Sequence, residues 1–430
     1  MGFLPLNMQL YSKDISKPSY EQLIQLTERF TVATVLNSND YEDKYGKYEW
    51  IAACGADEFI APSNSSFAAL EKFQHENRWV FGGFSYDLKN ELEKLNSRTD
   101  NPIGFPMLYF FAPQFLFLQR RNVQKVELFI ANGVSNEVIE SVLELLYEEV
   151  QINESQVPLL QPRISERDYL EKIGALKKHI QRGDIYEVNF CQEFYARNSV
   201  INPAAVMIAL NSSAPMPFST FFKCNASYLM GATPERFLCK RGETLIAQPI
   251  KGTLKRADQL EREVEQLKND PKEQNENVMI VDLMRNDLSK VAQRGSVQVE
   301  ELFGIYSFPK VHQMISTISA KLKPEISSVE AIKQAFPMGS MTGAPKVSAM
   351  KLIDNHEEFR RGWYSGAVGY FDADGDFDFN VIIRSLQYNA ENQYCSLIVG
   401  GAITDQSIPE KEYAECLLKA KSVFNLTTKK

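Results

Sequence analysis

The order in which strand-like and helix-like segments follow one another most restricts the fold of this sequence. Strand-like runs come in clusters, near residues 185–191, 218–222, 227–230, 364–371, 377–386 and 393–398. A parallel α/β fold would instead alternate strand and helix regularly, because each crossover must carry the chain back to the end of the sheet where the next parallel strand starts. The clustered order therefore predicts an α+β fold.

Two helices and a boundary between them have clear sequence signals. Asn136–Tyr147 is amphipathic, and a second helix begins after Ser165, a capping residue, and ends near Gly183. The apolar face of that second helix consists of Leu170, Ile173, Leu176 and Ile180. The intervening segment 151–163 contains two prolines and no periodicity. We therefore predict an N-terminal region, 1–155, and a C-terminal region, 156–430.

Composition restricts the partners and the compartment. The chain has 430 residues, of which 44% are hydrophobic, and 47 basic against 55 acidic residues give a net charge of −8. No basic run occurs, so we expect no nucleic-acid partner. The six cysteines lack CxxC spacing and are expected to be reduced thiols in a cytoplasmic protein. The first residues show no basic segment followed by an apolar core, so we expect no secretion signal.

The most apolar stretch of the chain is Phe105–Leu118. It is interrupted by Pro113 and Gln114, whereas a transmembrane helix needs about 20 apolar residues. We interpret the stretch as two buried strands, and we expect no membrane association.

The segment 249–253 (PIKGT) places one lysine in an unusual local setting. We predict a short turn here, between a strand at Thr244–Ala247 and a charged helix at Gln259–Leu267. Gly252 would let a ligand approach the backbone closely. A buried lysine that is partly deprotonated can act as a nucleophile, so Lys251 is a candidate catalytic residue. A lone Lys-Gly pair is more often part of a solvated surface turn.

Two acidic pairs share one spacing. Glu273 and Glu276 precede the apolar run 278–284, and Glu412 and Glu415 lie on a C-terminal amphipathic helix. Residues three apart are neighbours on a helix surface, so each pair can present its carboxylates together. If the two helices meet, their oxygens suit magnesium, which takes one or two carboxylates plus waters and substrate oxygens. The alternative is two solvated helix faces.

Other residues are candidate ligands for anions. Arg384 lies in the predicted strand 380–385, where a charge among apolar neighbours needs a partner or a ligand. Lys419, one turn after Glu415, could bind a substrate carboxylate. Further candidates are Lys346 after a glycine-rich turn, Tyr364 at the start of a predicted strand, and the backbone amides of Gly400 and Gly401. Together they predict a cavity for a small polyanion beside a divalent cation.

Two motifs resemble known binding loops but do not fit them. The segment 339–346 has the wrong spacing for a phosphate-binding P-loop, and Pro345 removes an amide that such a loop needs. The segment 372–376 resembles a calcium loop, but Ile383 occupies the place of the bidentate glutamate. We interpret 372–376 as a hairpin turn between two strands.

Several segments together resemble the chorismate-utilising enzymes. In chain order they are 183–189 (GDIYEVN), 233–237 (TPERF), 249–253 (PIKGT), 276–287 (ENVMIVDLMRND), 336–346 (FPMGSMTGAPK), 364–370 (YSGAVGY) and 412–415 (EYAE). The resemblance covers about residues 160–425 and is weaker in 1–150, where it rests on 36–38 and 86–88. It implies an anthranilate-synthase-like fold of two packed, orthogonal antiparallel sheets, with helices outside and the active site in the cleft between the sheets.

Within the family, the chain resembles the branch that aminates chorismate at carbon 4, because anthranilate synthases usually carry alanine where this chain has Lys251. The resemblance implies that Lys251 attacks carbon 2 of chorismate and that Glu235 is the general acid or base near the leaving hydroxyl. It implies that Glu276 and Glu415 hold magnesium, with Glu273 and Glu412 around its waters. The residues implied in binding the carboxylates of chorismate are Arg384, Tyr364, Lys419, Thr342, Gly343, Ala344, Gly400 and Gly401.

The chain departs from the family pattern at several positions. Glu187 stands where amino-transferring relatives usually have glutamine and isochorismate synthases have a catalytic lysine, which disfavours an isochorismate synthase. Gln313 replaces a histidine common in anthranilate synthases, so no proton transfer is assigned to it. Ala402 replaces a glycine and Gln248 an arginine. The segment 36–38 resembles part of the family's tryptophan pocket.

The sequence contains no glutaminase signature, namely a glycine-rich cysteine elbow followed by a His-Glu pair, and it has only four histidines. The resemblance therefore implies a separate glutamine amidotransferase subunit that supplies ammonia, and a product used for p-aminobenzoate and folate synthesis. The alternatives are an anthranilate synthase, less favourably an isochorismate synthase, or a binding protein with a decayed site.

Overall fold

The computed structural model describes residues 7–74, 78–93, 95–97, 100–152, 156–256, 260–309 and 311–426. It is an α+β structure, as the clustered sequence pattern predicts. The strands, in chain order, are β1 Met8–Leu10, β2 Val32–Asn37, β3 Tyr48–Ile60, β4 Val80–Phe84, β5 Leu108–Arg120, β6 Val126–Ala131, β7 Gln161–Pro162, β8 Glu187–Ala196, β9 Phe218–Cys224, β10 Ser227–Thr233, β11 Arg236–Arg241, β12 Thr244–Gln248, β13 Ile250–Lys255, β14 Gln298–Ser307, β15 Val311–Lys321, β16 Gly343–Ala344, β17 Ala367–Phe371, β18 Phe377–Val381, β19 Ser385–Asn389 and β20 Tyr394–Ile403.

The helices surround these strands. They are α1 Tyr20–Thr27, α2 Ser66–Phe73, α3 Lys89–Glu93, α4 Asn136–Tyr147, α5 Glu166–Gln181, α6 Pro203–Ser213, α7 Leu260–Lys268, α8 Pro271–Ser289, α9 Ser328–Ala335, α10 Lys346–His356 and α11 Pro409–Phe424, with short 3-10 turns at Tyr86–Leu88 and Gly339–Met341. None of the described helices is long and apolar enough to cross a membrane. The cysteines at 54, 191, 224, 239, 395 and 416 are buried free thiols.

The strand pairings are antiparallel and form two sections that share strand β5. The first section has the order β1-β6-β5-β3-β2-β9-β10-β19-β20-β8. The second has the order β5-β4-β17-β18-β11-β12-β15, with β14 on the far edge of β15. The two sheets implied by the family resemblance are therefore continuous through one long strand.

The expectation that Phe105–Leu118 forms two strands is wrong, because β5 runs unbroken from Leu108 to Arg120. Pro113 cannot donate a ladder hydrogen bond, and its partner strand β3 changes register between Ala56 and Glu58, directly opposite. Such a bulge accommodates the missing donor without ending the strand.

Apolar side chains from both sections pack against each other, and other apolar side chains pack under the helices. One core cluster combines Ile51 and Phe222 of the first section with Phe81 and Val368 of the second. Two further clusters lie beneath helices, one under α1, α4, α6 and α11 and one under α8 and α9. This arrangement is two packed sheet sections with helices outside, as expected for the family.

The helix predictions agree closely with the structure. Helix α4 occupies Asn136–Tyr147 as predicted, and Ser165 caps α5 by accepting a hydrogen bond from the Asp168 backbone amide. Helix α7 begins at Leu260, and Gln259, the predicted first residue, lies outside the described residues. Residues 153–155 of the predicted boundary and 1–6 at the N-terminus also lie outside them.

Several predicted strand bounds differ from the structure, and three of the differences concern the candidate site. Strand β8 continues to Ala196 and is buried along almost its whole length, because its apolar side chains pack into three core clusters. Tyr364 lies in a turn before β17, not at the start of a strand. Arg384 lies between β18 and β19 with a φ of 52°, so the predicted strand 380–385 is interrupted there.

The predicted regions 1–155 and 156–430 are joined by strand pairing. Strand β2 pairs with β9, and β4 pairs with β17. Trp363 also stacks on Phe105, with ring centroids 4.3 Å apart. Both sheet sections therefore contain strands from both regions, and neither section is complete without the N-terminal strands.

Candidate active site

A cavity of about 420 Å³ lies where strands β13 and β20 face helices α8 and α11. Its size is within the usual range for small-molecule sites. Most of the residues implied by the family resemblance line it, namely Lys251, Glu235, Glu273, Glu276, Glu412, Glu415, Arg384, Tyr364, Lys419, Gly400 and Gly401. Thr342, Gly343 and Ala344 are not among the lining residues, whereas their neighbours Ser340 and Met341 are.

Thr342 and Gly343 instead support the strand next to the cavity. The Thr342 hydroxyl is fully buried and donates to the carbonyl groups of Met338 and Gly339. Gly343 has a φ of 144°, and a Cβ there would lie 2.2 Å from the carbonyl oxygen of Glu187. Only glycine permits this close approach of two backbones.

Lys251 lies on a β-bulge, so the prediction of a turn at 249–253 is wrong. Strands β12 and β13 pair with the same edge of β15, and the register shifts between Ile250 and Thr253. The extra residue is accommodated by Gly252, whose φ is 86°. A bulge redirects side chains and is frequent beside active sites. Here it accompanies a buried Lys251 on the cavity wall.

Carboxylates surround Lys251. Its Nζ lies 2.5 Å from Oε1 of Glu187, in a buried ion pair. Burial alone lowers the pKa of Lys251, but the carboxylates of Glu187, Glu276 and Glu235 outweigh burial, so the pKa is raised. The free protein therefore holds Lys251 as an ammonium, although a nucleophilic lysine must lose a proton.

Glu235 follows strand β10 and is almost completely buried. Burial raises the pKa of Glu235 to about 7, although a hydrogen bond from Ser340 and the charges of Lys251 and Lys419 oppose the rise. A carboxyl group with a pKa near the working pH suits a general acid or base.

The two acidic pairs meet across the cavity. Helix α8, which Asp270 caps through the Lys272 and Glu273 backbone amides, carries one pair, and α11 carries the other. Lys272, which sequence reasoning missed, lies between them, with its Nζ 3.8 Å from Glu276 Oε1 and 3.5 Å from Glu412 Oε1. Burial lowers the pKa of Lys272, but the carboxylates of Glu412 and Glu276 outweigh it and raise the pKa.

The carboxylates of the two acidic pairs differ in their hydrogen bonding and in their pKa values. Oε1 of Glu276 is buried without a hydrogen-bond partner among the described residues, and burial raises the Glu276 pKa to about 7. Burial also raises the pKa of Glu273. Glu415 has a lowered pKa because Lys419 lies 2.8 Å away. No three His, Cys, Asp or Glu side chains in the described ranges are grouped closely enough to hold a metal by themselves.

The wall of the cavity carries further cationic side chains besides Lys251 and Lys272. Arg384 lines the cavity, and in the described part of the chain no carboxylate oxygen lies within 4 Å of its guanidinium nitrogens. Burial lowers the pKa of Arg384, and the charges of Tyr364 and Glu415 only partly offset this lowering. Arginine nevertheless stays protonated. Lys419 donates to the Gly400 carbonyl at 2.9 Å. An arginine with no carboxylate in direct contact is suited to a carboxylate ligand.

Two further polar groups of the cavity were not predicted as site residues. The side-chain carbonyl of Gln313 is buried on the wall without a hydrogen-bond partner in the described chain. Lys272 could have been found from sequence, since it lies four residues before Glu276 on the same helix.

Lys346, predicted as an anion ligand, instead forms an ion pair with Asp287 at 2.6 Å and does not line the cavity.

A second, much smaller cavity of about 70 Å³ contains Leu36, Asn37 and Ser38 in its wall. The buried Arg236 also borders it and bonds to Asp43 and Asp378. The likeness of this region to the family's tryptophan pocket rests on the segment 36–38 alone.

Comparison with known proteins agrees with this geometry. The family description "chorismate binding enzyme" matches residues 31–425. Aminodeoxychorismate synthase component 1 of Klebsiella aerogenes is 34% identical over 349 residues, which are 80% of this chain and 76% of that protein. The Escherichia coli K12 protein of the same name is 34% identical over 348 residues, with the same coverage.

Two solved structures share the fold. Anthranilate synthase component I from Streptococcus pneumoniae superposes with a TM-score of 0.77 at 26% identity, covering 89% of this chain and 93% of that one. The menaquinone-specific isochorismate synthase of Escherichia coli has a TM-score of 0.77 at 19% identity, with 99% and 95% coverage. The family match over most of the chain, together with the relatives at 34% identity, leads to one conclusion: this chain belongs to the chorismate binding enzymes.

Proposed function

We propose that this chain is the aminating component of an aminodeoxychorismate synthase, converting chorismate and ammonia to 4-amino-4-deoxychorismate and water for p-aminobenzoate and folate synthesis. The observation that carries the proposal is a buried lysine, Lys251, on the wall of a cavity that also holds Arg384 and two acidic pairs. The names of the relatives at 34% identity support the same reaction.

Chorismate carries two carboxylates, and the cavity has cations to receive them. Arg384 has no competing carboxylate within 4 Å among the described side chains, so a substrate carboxylate would provide its first close counter-ion. Lys419 and the backbone at Gly400 and Gly401 also line the cavity. A Cβ at Gly401 would lie 3.5 Å from Lys419 Nζ, so glycine keeps this surface open.

Lys251 and Glu235 would perform the covalent steps. Lys251 attacks carbon 2 of chorismate while the carbon 4 hydroxyl leaves, taking a proton from Glu235 to form water. Ammonia then attacks carbon 4, and the bond between carbon 2 and Lys251 breaks. A buried Glu235 with a pKa of about 7 can give and regain a proton at neutral pH.

Magnesium is part of the proposal, with Glu276 and Glu415 as ligands and Glu273 and Glu412 around its waters. Oε1 of Glu276, which accepts no hydrogen bond from the described residues, and the convergence of α8 and α11 fit a hard cation that prefers oxygen ligands. When bound, magnesium would stabilise the negative charge that develops on the leaving hydroxyl oxygen.

Ammonia would come from a separate glutamine amidotransferase subunit. The relatives are named as component 1, which supports the existence of a partner component. The isolated chain should therefore aminate chorismate with ammonium in the presence of magnesium, and should use glutamine only after an amidotransferase is added. Mass analysis of the product distinguishes this activity from anthranilate or isochorismate formation. Isochorismate or anthranilate as the main product, or no product, would overturn the proposal.

The covalent role of Lys251 has its own test. Wild-type protein with chorismate but no ammonia should gain the mass of chorismate less one water, and the modified peptide should contain residues 249–253. Lys251→Ala should lose the adduct and slow amination strongly, whereas Lys333→Met, a surface control on α9, should retain both. An unmodified wild type together with normal turnover by Lys251→Ala would exclude the covalent mechanism.

A further inference from the structure

The closest charged partner of Lys251 is a residue for which the family resemblance implies no role. Glu187 begins strand β8, and its side chain is only 7% exposed. In the described part of the chain, no other carboxylate lies within 4 Å of Lys251 Nζ. The contact joins residues on two strands, 64 positions apart in sequence.

The backbone around Glu187 is held firmly. Glu187 pairs with Ala344 of β16, and the amide of Tyr186 donates to the Ala344 carbonyl at 2.7 Å. Gly343 packs against the Glu187 carbonyl, where a Cβ would lie 2.2 Å from the oxygen. The carboxylate is thus built onto a fixed strand end and directed at Nζ, as a catalytic base must be.

The other carboxylates that face Lys251 have different neighbours. Glu235 accepts a hydrogen bond from Ser340 and from the Ile250 backbone, and Glu276 shares Lys272 with Glu412. Since the surrounding carboxylates keep Lys251 protonated in the free protein, its attack on a substrate requires a proton acceptor in contact with Nζ. Glu187 is the carboxylate in that position.

We propose that Glu187 is a catalytic base in this reaction, taking a proton from Lys251 as it attacks and returning the proton when Lys251 is released. The inference rests on the proposed function. In the first half-reaction one Nζ proton moves to Glu187, the Nζ lone pair bonds to carbon 2, the ring double bonds shift, and the carbon 4–oxygen bond breaks. The hydroxyl leaves as water with the proton of Glu235.

The second half-reaction restores every group. The ammonia lone pair bonds to carbon 4, the double bonds shift back, and the carbon 2–Nζ bond breaks with its electrons on nitrogen. Glu187 returns its proton to the neutral Lys251 amine, and the new carbon 4 ammonium gives one proton to Glu235. The net reaction is chorismate plus ammonia to the amino product plus water.

The test compares Glu187→Gln with Glu193→Gln, using ammonium as the nitrogen source. Glutamine keeps the size and a hydrogen bond at 187 but cannot accept the proton. Glu193 is a matched control, because it lies on the same strand in a buried ion pair with Arg163.

Glu187→Gln should lower kcat and the rate of adduct formation about 100-fold or more, with a less than threefold change in the KM for chorismate. Its kcat should rise with pH about tenfold per unit, because Lys251 must then lose its proton to solvent. Glu187→Asp should recover part of the rate.

The outcomes separate the inference from the proposed function. If wild-type protein makes no amino product, the proposed function fails, and this role of Glu187 fails with it. If wild type makes the product but Glu187→Gln forms the Lys251 adduct at the wild-type rate with an unchanged pH profile, only the inference is overturned. Equal losses in the 187 and 193 variants would show a structural role and would also overturn it. Circular dichroism and melting temperature verify that each variant is folded.

Discussion

At the scale of single residues, the carboxylates around the cavity are tuned by the partners that the fold gives them. Burial raises the pKa values of Glu235 and Glu276 to about 7, whereas the charge of Lys419 lowers the pKa of Glu415. A carboxyl group that is neutral at pH 7 can donate a proton, and one that is charged can hold a cation. The pKa values thus suit Glu235 to proton transfer and Glu415 to metal binding.

The pH dependence of the reaction should report Glu235. As a general acid, Glu235 must be protonated, so kcat/KM should fall as the pH rises through about 7, by tenfold per unit well above it. Glu235→Gln should lower activity and remove this alkaline limb, and a steady-state pH profile with ammonia concentration held constant measures both. An alkaline limb that persists unchanged in Glu235→Gln would assign the ionisation to another group.

Lys272 should compete with magnesium. Its ammonium lies between Glu276 and Glu412, so replacing it by methionine removes a positive charge from the position proposed for magnesium while keeping most of the apolar stem. Lys272→Met should bind magnesium about tenfold more tightly, or ~1.4 kcal/mol, in calorimetric titrations without chorismate. Lys290→Met, immediately after the other end of α8, should leave magnesium affinity unchanged. Weaker magnesium binding by Lys272→Met would mean that the lysine supports the site.

Sequence reasoning brought together residues that share the cavity, but it did not find contacts that only folding creates. Family motifs, helix spacing and a charge in a predicted strand pointed to Lys251, both acidic pairs and Arg384, and all of these line one cavity. Glu187 was noticed only as a departure from the family, because its partner on β13 is distant in sequence. Thr342 belongs to a matching motif but faces the protein interior. A sequence motif does not show which of its side chains face the cavity and which face the interior.

At the scale of secondary structure elements, the bulge in β13 is the feature that places Lys251. Helices α4 and α5 were predictable because capping residues and apolar periodicity are local signals. The bulge was predicted as a turn, since Pro249 and Gly252 are typical turn residues. Pairing with β15, a partner 56 to 65 positions away, keeps the segment extended, and such long-range pairing overrides local preference.

Gly252→Ala tests the importance of this bulge. Gly252 has a φ of 86°, and an added Cβ would lie 3.1 Å from Glu273 Oε2 and 3.2 Å from Leu267 Cδ1. We expect a loss of about 1–2 kcal/mol in the free energy of unfolding and at least a tenfold loss in kcat, because Lys251 is displaced. Urea unfolding and ammonium-dependent turnover measure the two effects.

Gly174→Ala is the matched control for the same substitution. Gly174 lies in helix α5, and a Cβ there would have no neighbour within 4 Å. Alanine should stabilise the helix by about 0.5–1 kcal/mol and leave kcat unchanged. If Gly252→Ala behaved like Gly174→Ala, the bulge would not be required to position the lysine.

At the scale of the whole molecule, the active-site region depends on strands contributed by the first 155 residues. The α+β class follows from the order of segments, but the sequence contains no local signal for the pairing of β2 with β9 or of β4 with β17. The same holds for the hairpin 372–376, where Lys47, some 325 positions away, bonds to Asp372 at 2.6 Å. The hairpin was correctly predicted as a turn, but its neutralising lysine could not be.

A fragment comprising residues 156–430 should therefore not fold into an active protein, although it contains every residue proposed to act in the reaction. Without the first 155 residues, β9 and β17 lose the neighbours β2 and β4, and Trp363 loses its stack on Phe105. Exposed strand edges and apolar surface favour aggregation. The isolated fragment should show no cooperative unfolding transition in urea and no consumption of chorismate with ammonium and magnesium. Co-expression of residues 1–155 as a separate chain should restore both, since the missing contacts are noncovalent. A monodisperse, cooperatively unfolding and active 156–430 fragment would show instead that the C-terminal region is a self-sufficient catalytic domain.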